Sequence, residues 1–480
     1  MDFVLLSGFN AKKIQFTFGS ELSMETSITS FFKITEKKKS NENIAKELRK
    51  LKRTELKKVS TIKDYFTDNC EYFFENGLRK VHPYYYTFQT FVKERWIARS
   101  ISSVFMEEFY CGRADYVQNR IDKGFLLINQ EKVSPDYCLH PSDVITHRIH
   151  RHEFPVLDQP LKIIHEDSNN LVICKPSSIP IHSVNKYHFN TVLGIMSKQY
   201  GIDQLRVVHR IDRMTSGILI IAKNYESSLK ISTEILKRQV SKFFLAVVNG
   251  DFSSMGNEPV KCDIPLGPLS EKLGLFHALS VNDGGKESST KFLFLKYNPE
   301  LNLSLILCKP FTGRTHQIRV HLQYLGFPIS NDPLYNSDAW GPNLGKGGIY
   351  YKSKEQLIED LHANHNILLH QALETGDLES VDKSQNNSVS SKYFDENCDE
   401  CSSGMTYNID HESLILYLHA YRYRSTEKDW DYHTDLPEWT QFFYKNDENE
   451  KASAEIQQLL LTNTYRTRPF IFFSNAHPIF

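Results

Sequence analysis

The segment Val208 to Gly217 (VHRIDRMTSG) sets one carboxylate, Asp212, between Arg210 and Arg213 and runs straight into an apolar stretch, Ile218 to Ala222. A carboxylate at the mouth of a rigid strand is held where a reacting group can be positioned, although a lone HRxD is more often a salt-bridged turn. A second chemistry-bearing stretch, Gly313 to Leu322 (GRTHQIRVHL), reads as a helix. Thr315 can cap it, Ile318, Leu322 and Leu325 share one face, Gly326 can end it, and His316, Arg319 and Gln323 lie on another face. Cys398 and Cys401 form a single CxxC. A structural zinc needs four ligands and no second pair occurs, so no metal site is expected. His147, His150 and His152 stand among arginines and read as an exposed basic turn.

The elements that must position these residues are mostly strands. Leu171 to Cys174 and Ser216 to Ala222 read as buried strands, and Leu301, Leu303, Leu305 and Leu307 alternate at the period of a half-buried one. Between them, Leu229, Ile235 and Leu236 fit a helical face. Strands outnumber helices without alternating with them, which predicts an α+β sheet domain. No GxGxxG or GxxxxGKS/T sequence supports a nucleotide-binding fold.

The string Val208 to Gly217 resembles the signature of RluA-type RNA pseudouridine synthases, HRLDxxTSG, with Ile211 as a conservative change. Leu171 to His182 (LVICKPSSIPIH) resembles the strand and turn of the family's KPSG-like motif, with Ser178 where glycine is usual. Gly313 to Leu322 matches GRTHQIRVHL throughout, and Leu418 to Ala420 (LHA) resembles the family's late element. Lys242 to Gly250 (KFFLAVVNG) resembles KxYxAxVxG but places Phe244 where the family has a tyrosine. The resemblance spans roughly Lys93 to Trp439. Arg148 to Val156 (RIHRHEFPV) and Asn331 to Gly341 (NDPLYNSDAWG) look closest to the eukaryotic branch that includes synthases of the tRNA anticodon region.

What this implies is a mixed, mainly antiparallel sheet catalytic domain preceded by a small S4-like RNA-binding domain. It implies isomerisation of uridine to pseudouridine in RNA, tRNA in particular, with no cofactor and no metal. Asp212 is the implied essential carboxylate, Arg319 its buried and bidentate cationic partner, and Phe244 the platform for a base flipped out of the RNA. His209, Arg210, Arg213, Thr215, Lys175, Arg314 and His316 are the implied RNA contacts. Phe244 lacks the phenolic hydroxyl that can take part in proton transfer, which leaves a noncatalytic RNA-binding protein or RNA chaperone as an alternative. A nucleoside hydrolase or glycosidase needs a second carboxylate to activate water, and none of the motifs offers one beside Asp212.

The rest of the chain bounds this reading. The 480 residues carry a formal net charge of −1, so RNA affinity must come from local basic clusters. Lys46 to Lys58 (KELRKLKRTELKK) holds seven basic and two acidic residues and reads as a solvated helix or disordered arm. The expected organisation is a basic arm over 1–64, an aromatic-rich segment and S4-like domain over 65–155, and a catalytic domain over 156–350 and 410–445. A polar insertion over 351–409 interrupts it, and a tail follows over 446–480. In the S4-like part a helix ending at Gly124, a strand over Phe125 to Ile128 and another near Val133 are expected. Tyr84 to Phe91 (YYYTFQTF), with Lys93, Arg95 and Arg99 nearby, suits both core packing and RNA stacking. Eight scattered cysteines point to free thiols in a reducing compartment, and no apolar run approaches the ~18 residues that span a bilayer. A monomer of the cytoplasm or nucleus is expected; the N-terminus argues against a secretory signal and leaves a mitochondrial presequence open.

Overall fold

A computed structural model of the chain describes residues 70–108, 115–256, 258–270, 274–364, 392–396, 398–402, 409–427, 429–445 and 448–461. The basic segment Lys46 to Lys58 and the apolar stretch Pro469 to Phe473 lie outside the described residues. The described chain opens with β1 (Tyr72–Glu75) and β2 (Leu78–Val81), joined at Asn76 and Gly77, both with positive φ as a tight two-residue hairpin requires. There follow β3 (Tyr84–Phe91), α1 (Ile101–Glu108), α2 (Tyr116–Asp122), β4 (Leu126–Ile128) and β5 (Val144–Arg151). Strands β3, β5 and β4 make an antiparallel sheet that packs with both helices around Trp96, Val104, Phe105, Val117, Ile121 and Leu126. The strand expected near Val133 is absent: only an isolated bridge joins Ile128 to Glu131.

The next strand, β6 (Val156–Leu157), pairs with β2. Leu78 of that hairpin shares a core with Phe154, Val156, Leu171 and Ile173. A boundary at residue 155 would therefore cut through packed structure. Then come β7 (Lys162–Glu166), β8 (Asn170–Lys175), α3 (Val192–Tyr200), β9 (Arg206–Val207), β10 (Ser216–Ala222), α4 (Tyr225–Leu236) and β11 (Val240–Asn249). After β12 (Val260–Cys262), a small ribbon of β13 (Leu266–Ser270) and β14 (Leu275–Ala278) precedes β15 (Thr290–Asn298) and β16 (Leu303–Pro310). The chain continues through α5 (Gln317–Leu325), α6 (Lys354–Ala363), α7 (Asp399–Ser402), β17 (Leu418–Ser425), β18 (Asp431–His433) and α8 (Asn449–Leu461).

One sheet dominates, ordered β12-β15-β16-β11-β17-β10-β8-β7, with β9 beside β10 and β18 beside β17. Its pairs are antiparallel except β10 with β17. The architecture is α+β with a mixed sheet. Both faces are covered, which explains the unbroken apolar runs of β10 and β11, because successive side chains point to opposite faces. On one face Ile218, Ile220, Phe244, Ala246 and Val248 pack with Ile318, Leu322 and Leu325 of α5. On the other, Leu219 and Ile221 meet Val192, Ile195 and Met196 of α3, while Phe243, Leu245 and Val247 meet Ile456 and Leu460 of α8. Each fully buried side chain of this size stabilises by about 1.5 to 3 kcal/mol. Leu305 and Leu307 belong to that core, whereas Leu301 precedes β16 and is exposed.

The segment expected as a polar insertion begins with ordered structure. Ser353 caps α6 by accepting from the Gln356 N–H, and Leu357 and Leu361 are buried in a cluster with Trp340. The segment expected as a tail likewise supplies α8. Among the described residues no helix is long and apolar enough to cross a membrane.

Candidate active site

The loop that carries Asp212 is pinned from a neighbouring strand. At the end of β8, Lys175 is fully buried and its Nζ donates to the carbonyls of Pro176, Ile179 and Arg213. Ser177 Oγ donates to the Met214 carbonyl, and the Thr215 N–H donates to that of Asp212. Ser178 sits in the left-handed region (φ 68°), which accounts for a glycine being usual there. The hydroxyl compensates part of that strain by accepting from the Leu157 N–H at 2.9 Å. Gly217 has φ +105°, and a Cβ there would lie 2.3 Å from the Ala420 carbonyl oxygen. Only glycine lets β10 and β17 approach so closely at their parallel contact. His419 of the LHA element locks the same junction, bonding Ser216 through Nδ1 and Thr434 through Nε2.

The second motif forms the facing wall. Helix α5 starts one residue later than expected: His316 is its N-cap in left-handed conformation (φ 53°) without a side-chain cap, so Thr315 does not cap it. Gln317 does the anchoring. Its Oε1 accepts from the Thr312 hydroxyl and the Arg314 N–H, and its Nε2 donates to the Ser289 carbonyl and the Thr290 hydroxyl. Loop and helix enclose a cleft of about 980 Å³ lined by Asp212, Phe244, Arg319 and Tyr423, among others.

The expected bidentate pairing of Arg319 with Asp212 is not what forms. Arg319 Nε and Nη2 donate to the two oxygens of Asp332 at 2.7 and 2.8 Å. Asp332 is fitted for this because it is fully buried and also accepts the N–H groups of Leu334 and Tyr335. Burial opposes charge on both groups, yet their mutual attraction and hydrogen bonds hold Asp332 below the usual carboxylate range and Arg319 above its ordinary value. The pair stays ionised. Arg319 still lines the cleft, near enough to Asp212 for that charge to act on it, and its guanidinium lies 5.0 Å from the Tyr335 ring centre.

Of the expected RNA contacts, Arg210, Arg213, Thr215, Arg314 and His316 line the cleft. Arg210 and Arg314 are exposed, and the Arg314 Nε donates to the Glu287 carbonyl. Arg213 and Thr215 are buried, and His316 is held by the Tyr335 hydroxyl at 2.9 Å. Two assignments do not hold. Lys175 is consumed by the three carbonyls it binds. His209 is buried, accepts the Ile220 N–H at Nε2, and has its pKa driven far down by burial, so it is a neutral buttress of β10.

One residue escaped sequence reasoning. Tyr423 of β17 is buried at 1% exposure, its ring centre 5.9 Å from that of Phe244, and its hydroxyl has no hydrogen-bond partner among the described residues. Burial, with the Asp212 charge adding to it, raises its pKa, so the phenol keeps its proton. A bulge brings it there. Phe243 pairs with Arg422 but Phe244 with Ala420, which makes Tyr421 the extra residue and turns Tyr423 to the same face as Ala420.

The basic-turn reading of the histidines is also overturned. His147 and His150 lie within β5 and His152 is buried just beyond it, and His150 and His152 meet Cys398 and Cys401 with all four ligand atoms within 4.8 Å of one another. The two cysteines come from some 250 residues further along the chain than the two histidines.

Residues 169–324 match the RNA pseudouridylate synthase family. The mouse pseudouridylate synthase RPUSD2 is 42% identical over 308 residues, covering 64% of this chain and 54% of its own length. The mitochondrial tRNA pseudouridine(32) synthase of Saccharomyces cerevisiae is 36% identical, covering 76% of this chain and 77% of that one. The yeast tRNA pseudouridine(31) synthase is 32% identical, covering 77% and 97%. The chain thus belongs to the RNA pseudouridylate synthase family of RluA type, and it spans about half the length of the mammalian RPUSD2 proteins it matches.

Proposed function

We propose that this protein isomerises uridine to pseudouridine in a tRNA, in the cleft between the Asp212 loop and helix α5. The observation that carries the reading is the convergence there of a carboxylate on a pinned loop, a fully buried and ionised guanidinium, and two aromatic side chains. The reaction breaks the bond from C1′ of the ribose to N1 of uracil and forms one from C1′ to C5. The C5 proton leaves and N1 gains one, so no atom is lost. Asp212 acts at the sugar and base while the aromatic wall of Phe244 and Tyr423 shields the detached ring from water.

The target base must leave the RNA stack at a cost of a few kcal/mol, which contact with Phe244 offsets. Tyr423 contributes the hydroxyl absent at residue 244. A buried hydroxyl left without a partner costs about 1 to 3 kcal/mol, so a side-chain adjustment that turns the Tyr423 hydroxyl onto a uracil edge in the cleft is favoured. This favours an enzyme over a noncatalytic binder.

The small unit built on β3, β4, β5, α1 and α2 is the S4-like element that grips the RNA body. Supporting this, Tyr85, Phe88 and Phe91 are exposed, and the exposed Arg148 places its guanidinium 4.1 Å from the Tyr85 ring centre. The two yeast relatives named for positions 31 and 32 support a tRNA substrate modified near the anticodon. The test is to map pseudouridine in tRNA transcripts incubated with the purified protein. Its appearance at a discrete anticodon-region uridine is expected; released uracil or unchanged RNA would refute the reading.

A further inference from the structure

Away from the cleft, four side chains from two distant segments close around one point. Cys401 Sγ lies 3.3 Å from His152 Nε2 and 3.4 Å from His150 Nδ1, and Cys398 Sγ lies 3.5 Å from the same His152 nitrogen. A tetrahedral ion with metal–sulfur bonds of about 2.3 Å and metal–nitrogen bonds of about 2.0 Å has sulfur-to-nitrogen edges of about 3.5 Å. Hydrogen bonding accounts for the cluster less well, because His152 Nε2 offers either one proton or one lone pair and faces both sulfurs. From these contacts we infer that His150, His152, Cys398 and Cys401 bind a structural zinc ion. Two thiolates and two imidazoles select zinc over the hard cations magnesium and calcium, and four protein ligands, three of them buried, leave no position open for catalysis.

The surroundings preorganise the ligands. His150 and His152 are two apart in extended chain and so face one way, and Cys398 and Cys401 do the same across the first turn of α7. Glu153, next in the chain, is buried and fixes the backbone, accepting from the N–H groups of His188, Phe189 and Asn190 and from the Tyr84 hydroxyl. Lys186 pairs with Glu400 at 2.9 Å, and Lys392 with Glu71 at 2.8 Å, so the segment bearing the cysteines is docked on the body at independent points. The ion would clasp that segment to β5, the strand shared by the small sheet and the approach to the catalytic domain. None of the four residues lines the cleft, so the site is distinct from the catalytic centre.

The test uses the full chain purified without chelator. Elemental analysis is expected to find one zinc per chain, falling below about a tenth in the Cys398→Ser, Cys401→Ser double variant. Replacement of zinc by cobalt(II) in the wild-type protein should give the intense visible bands of a tetrahedral ion and a near-ultraviolet thiolate band, a readout that needs no variant to fold. His152→Asn should weaken both. Alkylation should label Cys398 and Cys401 only after chelation. A zinc-free wild type that gives no such cobalt spectrum on reconstitution, a Cys398–Cys401 disulfide, or unchanged zinc in the double variant would overturn the site.

Discussion

Asp212→Asn removes a charge from the cleft without changing volume, and the loop that bears it is pinned by Lys175 at the end of β8 and Ser177 in the turn after it. The fold and RNA affinity should survive while turnover falls by a factor on the order of 10³ or more; a purified variant with near-normal turnover would remove Asp212 from the chemistry. Phe244 and Tyr423 separate stacking from hydrogen bonding. Tyr423→Phe should slow single-turnover isomerisation by roughly 10²-fold, Phe244→Ala should weaken capture of the base by about 1 to 3 kcal/mol, and Phe244→Tyr should do little. Were Phe244→Tyr to accelerate the reaction strongly while Tyr423→Phe left it unchanged, the hydroxyl would belong at residue 244 and the natural chain would be nearly inactive. That Asp212, Phe244 and Arg319 would meet in one cleft was legible because their motifs are contiguous in sequence. Tyr423 was not, since strict alternation along β17 sets it on the face opposite Ala420, and a bulge leaves no mark in composition.

At the level of elements, the buried Arg319–Asp332 pair ties helix α5 to the turn that follows it. Arg319→Ala strands a buried carboxylate and should lower stability by about 3 to 5 kcal/mol, so thermal denaturation must accompany the activity assay. Asp332→Asn should show the same coupling, with activity falling through a displaced guanidinium. Wild-type melting for both would contradict the pairing. The α5 sequence displayed Arg319 on a polar helix face but could not say which carboxylate it meets, because Asp332 and Asp212 reach it from opposite sides in sequence. The strands β8, β10 and β16 were readable from apolar runs and alternation, whereas the short β6 and the bridge at Val133's expected strand depend on tertiary pairing that local pattern does not encode.

At the scale of the whole molecule, removal of residues 1–155 would take away β2, Leu78 and Tyr84, which pack on Leu171, Ile173 and Phe189, and so would test folding more than binding. Substitutions on the outer face of β3 and β5 are the cleaner probe. Phe91→Ala and Arg148→Ala should raise the Kd for structured RNA several-fold, Arg148→Ala should also flatten its salt dependence, and both should leave the rate at saturating RNA unchanged. Unaltered affinity in both would locate RNA recognition elsewhere. The near-neutral net charge called for a local patch, but which rings the small sheet leaves exposed depends on pairing that composition does not encode.

The position of β17, between β10 and β11, dictates an order of events during synthesis. Both neighbours are complete by residue 249, yet the strand that joins them begins at Leu418. For the time needed to translate the intervening chain, on the order of 10 s, two apolar strands face each other across a missing partner with their hydrogen-bonding edges bare. A nascent chain in this state should need a holding chaperone, and ribosome-released fragments ending before Leu418 should aggregate where the full chain stays in solution. Sedimentation of such fragments against the full chain measures this directly, and a soluble, protease-resistant fragment would show that the two halves of the sheet fold apart.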